Sequence, residues 1–140
     1  MRTLMLLPLL LLAGFAFSQT SPAPAAASNA AQTAEAHSVP SLDGGIGSCT
    51  ADFTINDDAG KPVYNATIKV HIAYGTWSIR KLDLQINTNV DGKARFTGLP
   101  ERVKRGLMFQ ASDPGRYGEA FDDPAETCNK QFTIALQKKN

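Results

Sequence analysis

The sequence predicts a small all-β sandwich of about seven strands. Three observations support this reading. Apolar and polar residues alternate along short segments, and Gly, Pro, Asn and Asp cluster between those segments. After the N-terminal apolar run, no stretch carries a helical stripe with caps.

The first element is a targeting signal, residues 1–18. Arg2 precedes an apolar run from Leu4 to Phe17, and Ala16-Phe17-Ser18 places small residues where a signal peptidase reads, so cleavage is expected before Gln19. The run is shorter than the roughly 20 residues that span a bilayer, so no retained membrane segment is expected. Phe15 follows Leu12-Ala13-Gly14 where a lipoprotein signal would need cysteine. Residues 19–40 are rich in Ala, Ser, Thr and Pro and carry no large aliphatic side chain before Val39, so they read as a disordered leader with His37 exposed on it. Residues 41–140 have the length of one domain with a single modest core.

Within that domain, Cys49, Ala51, Phe53 and Ile55 share one face of a first strand. The polar run Asn56-Asp57-Asp58-Ala59-Gly60 ends it, and Pro62 makes the next residues an edge-like extended segment. From Ala66 onward Ile68, Val70, Ile72 and Tyr74 alternate with Thr67, Lys69, His71 and Ala73. Leu82, Leu84 and Ile86 then alternate with Lys81, Asp83, Gln85 and Asn87. Asp91-Gly92 marks a turn into Ala94-Arg95-Phe96-Thr97, and Leu99-Pro100 closes that strand. A short strand around Leu107, Phe109 and Ala111 follows, Asp113-Pro114-Gly115 reverses the chain, and a final strand runs from about Lys130 to Leu136. The strand register after Pro100 is the part this pattern leaves open.

Cys49 and Cys128 are the only cysteines, at opposite ends of the folded region of a chain with an export signal, which predicts a structural disulfide. Parity agrees: Cys49 shares the inward face of its strand, and Cys128 shares parity with Phe132, Ile134 and Leu136.

The order Gly60-Lys61-Pro62-Val63, Ala66-Thr67-Ile68-Lys69-Val70 and Thr88-Asn89-Val90-Asp91-Gly92-Lys93-Ala94-Arg95-Phe96-Thr97-Gly98-Leu99-Pro100 resembles the carboxypeptidase regulatory-like domains over most of Thr50 to Leu136. The resemblance implies a Greek-key sandwich of immunoglobulin-like or transthyretin-like form. It also implies an accessory role, because such domains occur beside peptidases, in receptor extensions, in adhesins and as free secreted proteins. The chain departs from the family's usual ending: Glu101-Arg102-Val103-Lys104-Arg105 follows Leu99-Pro100, and Pro114-Gly115-Arg116-Tyr117 looks like a displaced Pro-Gly-Tyr turn.

Residues that could carry chemistry are few. From Ser41 onward there are 13 Lys or Arg against 12 Asp or Glu, which lacks the field of a nucleic-acid binder. The cluster Arg102, Lys104 and Arg105 reads as a solvated loop, with anion binding the weaker alternative. With only His37 and His71, a multi-histidine zinc centre cannot form in one subunit, so no metal or other cofactor is expected. Transthyretin-like hydrolases, the nearest enzymes by resemblance, end in a Tyr-Arg-Gly-Ser-like segment, whereas this chain ends Gln137-Lys138-Lys139-Asn140. His71 has outward parity, and Ser48, Ser78 and Ser112 lie in no nucleophile elbow. Asn87, Asn89 and Asp91 faintly resemble a calcium loop but lack its downstream acid, so a β-turn is preferred.

Asn65-Ala66-Thr67 is a glycosylation sequon. Tyr74 and Trp77 are the candidates for a protein or glycan contact, although closing the core is the preferred role for Trp77. The expectation is therefore a noncatalytic secreted or periplasmic β-sandwich binding or accessory module of the cell envelope, with no catalytic residue. Its partner would be an envelope protein, a peptide or a glycan. A structural or adhesive subunit of a surface assembly is the alternative, and a transthyretin-like hydrolase the remote one.

Overall fold

In the computed structural model, which describes residues 34–139, the alternating segments form two packed sheets. The strands are β1 (Ser41–Asp43), β2 (Cys49–Asn56), β3 (Thr67–Tyr74), β4 (Arg80–Asn87), β5 (Lys93–Leu99), β6 (Leu107–Asp113), β7 (Arg116–Asp122), β8 (Asn129–Ala135) and β9 (Gln137–Lys138). One sheet has the order β1-β5-β2-β8 and the other β4-β3-β6-β7-β9. The molecule is an all-β sandwich. The expected signal at 1–18 and the leader as far as residue 33 lie outside the described residues.

Period-two burial drives the assembly, because a one-residue slip would move a whole apolar set into water. In β2 every second residue from Cys49 is buried, and Phe53 pairs with Ala94 of antiparallel β5 and Phe132 of parallel β8. From the opposite sheet β3 contributes Ile68, Val70 and Ile72, and β6 contributes Leu107, Phe109 and Ala111. Four phenylalanines join the layers: the Phe53 ring centroid lies 4.7 Å from that of Phe109, 5.1 Å from Phe132 and 5.9 Å from Phe96. Such rings contribute their buried area and about 0.5–1.5 kcal/mol per well-placed pair beyond it.

The turn into β5 explains its sequence. Gly92 has φ +70°, and a side-chain carbon there would lie 2.4 Å from the Ile55 carbonyl oxygen, so the position requires glycine for both conformation and space. The Gly92 carbonyl accepts from the Ile55 amide at 2.7 Å. Buried Asn89 accepts from the amides of Asp91 and Lys93 through Oδ1, while its Nδ2 donates to the carbonyls of His37 and Ser38 at 3.0 Å each. The end of the expected leader is thus hydrogen-bonded to the sandwich, and His37 Nδ1 lies 2.9 Å from Asp91 Oδ2.

Cys49 and Cys128 form a disulfide between residues 79 apart in sequence. Strands β1, β7 and β9 are elements the sequence did not announce. In β7 the residues turned toward the other sheet are Gly118, Ala120 and Asp122 rather than large aliphatics, so its apolar alternation is weak. Strands β1 and β9 have three and two residues, too few to show a period. No described helix is long and apolar enough to cross a membrane.

Candidate functional site: the outer face of the five-stranded sheet

The outward residues of β3, β4, β6 and β7 floor an open groove of about 1130 Å³. Strand register orders them into rows. His71 pairs with Asp83 on one side and, one step beyond the Val70–Phe109 pair, is level with Met108, which pairs with Phe121. The next row sets Lys69 between Gln85 and Gln110, and on the other side Lys81 pairs with Ala73. The row through His71 therefore runs from a carboxylate to two apolar side chains. Met108 is 44% exposed and Phe121 54%.

His71 Nδ1 lies 2.5 Å from Asp83 Oδ1. A carboxylate only accepts, so Nδ1 carries the proton in this contact. The sequence reading missed this pair. Its signal was present, since residues equidistant from Trp77 face each other along the whole β3–β4 hairpin.

At the hairpin apex Gly75, Trp77 and Ser78 take φ values of 80°, 65° and 54°, around a 3-10 turn at Thr76–Ser78. This backbone turns Trp77 outward, 78% exposed, with Ile79 beside it at 76%. The expected core-closing role of Trp77 is therefore corrected: the left-handed apex points the indole away from the interior. Tyr74, the other contact candidate, is partly buried against the core and reaches only a smaller hollow shared with Arg102 and Val103.

The loop from Pro100 to Gly106 completes the groove. Gly106 has φ +68°, and a side-chain carbon there would lie 2.4 Å from the Phe121 ring, so glycine lets this loop settle on Phe121. Lys104 Nζ lies 5.5 Å from the Trp77 ring centroid, a cation–π distance. Lys69, Lys81, Lys104 and Arg105 line the groove against the single carboxylate of Asp83, which is held by His71. Along β7, Glu119 accepts from the Tyr117 hydroxyl, and that bond, followed by burial, raises the tyrosine pKa above its ordinary value.

The remaining candidates lie elsewhere. Asn87 donates to Asn65 Oδ1 of the sequon, and Ser48 donates to Glu101. Among the described residues no three His, Cys, Asp or Glu side chains gather as a metal-binding group.

No family model matches the chain, and no curated protein matches it. Solved structures similar to it include 3-chlorocatechol 1,2-dioxygenase from Rhodococcus opacus 1CP, at 12% identity and TM-score 0.47 over 72% of this chain and 64% of that one. Catechol 1,2-dioxygenase from Pseudomonas arvilla C-1 matches at 14% identity and TM-score 0.47 over 80% and 67%. Hydroxyquinol 1,2-dioxygenase from Pseudomonas putida DLL-E4 matches at 13% and 0.42 over 72% and 63%. The chain spans about two thirds or less of these proteins' length.

These neighbours are enzymes, and the finding stands against the expectation of a noncatalytic envelope module with no enzymatic activity. Lack of a linear catalytic motif did not justify that expectation, because a sheet can join residues that sequence separates, as it joins His71 to Asp83. At TM-scores below 0.5 the likeness transfers no substrate or active site.

Proposed function

We propose that the protein is exported and that the outer face of its five-stranded sheet binds an anionic amphiphile, a ligand with a negatively charged head and an apolar portion. The observation that carries this reading is the juxtaposition of Met108 and Phe121 with four cationic side chains around one groove. Apolar contact would hold the ligand's body at about 25 cal/mol per Å² removed from water. Lysine and arginine would select its head, with Gln85 and Gln110 available for neutral hydrogen bonds. His71, oriented by Asp83, adds a polar ring to the same face. Export is supported by the signal-like N-terminus and the disulfide. The motif order shared with carboxypeptidase regulatory-like domains supports membership of that group as part of the proposal.

Calorimetric titration with decyl phosphate below its micelle concentration tests the reading. Saturable binding is expected, weakened by salt and reduced roughly tenfold in the Lys81→Gln, Lys104→Gln double variant, the equivalent of about 1.4 kcal/mol. Equal affinity for decyl phosphate, decyl maltoside and decyltrimethylammonium would contradict it.

A further inference from the structure

We propose that the β3–β4 apex docks on an anionic lipid bilayer, with Trp77 and Ile79 entering the headgroup boundary and the neighbouring cations resting on the charged surface. This rests on the anionic-amphiphile reading and names where the amphiphile is found: in a membrane leaflet. Two large apolar side chains occupy the outermost turn of a hairpin, 78% and 76% exposed. Trp77 and Ser78 take left-handed backbone there, with φ 65° and 54°.

Charge selects the occupant. Arg80 and Lys81 follow the apex directly, and Arg102, Lys104 and Arg105 flank it from the adjoining loop. Two carboxylates stand among them, Asp83 beside His71 and Glu101 beside the Ser48 hydroxyl, so the cations outnumber the acids. Five cations around an exposed indole and isoleucine form a local positive patch on a chain whose formal net charge is only +1. A protein interface would deplete charge from its centre, and a glycan gains little from an exposed isoleucine. An anionic bilayer uses both components, because tryptophan favours the interface, an aliphatic side chain enters the acyl boundary and basic residues pair with headgroups. With the apex inserted, Lys81, Lys104 and Arg105 bring the groove to the level of lipid phosphates.

Trp77 is the only tryptophan in the chain, so its emission reports the docking directly. Titration with vesicles of equal parts phosphatidylglycerol and phosphatidylcholine should shift the emission to the blue and saturate, whereas phosphatidylcholine vesicles should leave it unchanged. Salt should reverse the shift. Ile79→Ser keeps the reporter and should lower partitioning roughly tenfold. Trp77→Ala, followed by co-sedimentation, should lose binding with unchanged circular dichroism. If decyl phosphate binds in the groove while anionic vesicles produce no shift, the bilayer proposal is overturned and the amphiphile reading stands. If neither binds, both fall. An equal shift with phosphatidylcholine alone would overturn the charge-selected form proposed here.

Discussion

Trp77 and Phe109 show how backbone conformation overrides side-chain chemistry. Trp77 follows one alternating strand and Phe109 lies within another, and closing the core was the role expected of Trp77. The left-handed apex turns Trp77 out, while the period of β6 leaves Phe109 fully buried among the other phenylalanines. Thermal unfolding should therefore find Trp77→Ala within about 0.5 kcal/mol of the parent and Phe109→Ala about 3–5 kcal/mol less stable. A large loss from Trp77→Ala would contradict the exposed placement. Gly92→Ala meets two penalties at once, positive φ and the Ile55 carbonyl, and should cost more than the 1 kcal/mol or so of an ordinary glycine substitution. This requirement was legible, because Asp-Gly between two strand-like runs announces a turn. The use of Asn89 to hold His37 and Ser38 was not, since those partners lie about fifty residues earlier.

The β3–β4 hairpin was the most legible element, as each strand alternates cleanly and one apex links them. Its register also contained the His71–Asp83 pair, although the length of the apex had to be known before facing residues could be matched. Strand β7 was hidden because it turns small and acidic residues inward, and with it went Phe121, one of the two apolar side chains paired across the groove. Phe121 is 54% exposed on that strand. Phe121→Ser should accordingly change stability by less than about 1 kcal/mol. It should also weaken decyl phosphate binding severalfold, and unchanged binding would remove Phe121 from the site. The same strand predicts a pH effect. Folding raises the Tyr117 pKa, so the protonated phenol favours the native state; that contribution is present below tyrosine's unfolded value near 10 and is lost as pH rises through the folded one. Denaturant midpoints measured from neutrality into this alkaline range should fall less for Tyr117→Phe than for the parent.

At the scale of the whole molecule, the two-sheet sandwich followed from parity, and its staple from the positions of the two cysteines, which are global regularities. The groove did not, since it draws on four strands and a loop whose order in space no local pattern encodes. The Cys49–Cys128 bond closes a loop of 79 residues, and the loop-entropy model assigns such a closure about 4 kcal/mol. Chemical denaturation of the Cys49→Ala, Cys128→Ala variant should register a loss of that order while leaving the apolar period to direct the same fold. The central claim, that the outer face of the five-stranded sheet receives an anionic amphiphile, is tested most directly by amide resonance mapping during titration with decyl phosphate. Saturable shifts should concentrate at Lys69, His71, Lys81, Met108, Phe121 and the Gly75–Ile79 apex. Shifts confined to β2, β5 and β8, or none at saturating ligand, would contradict it.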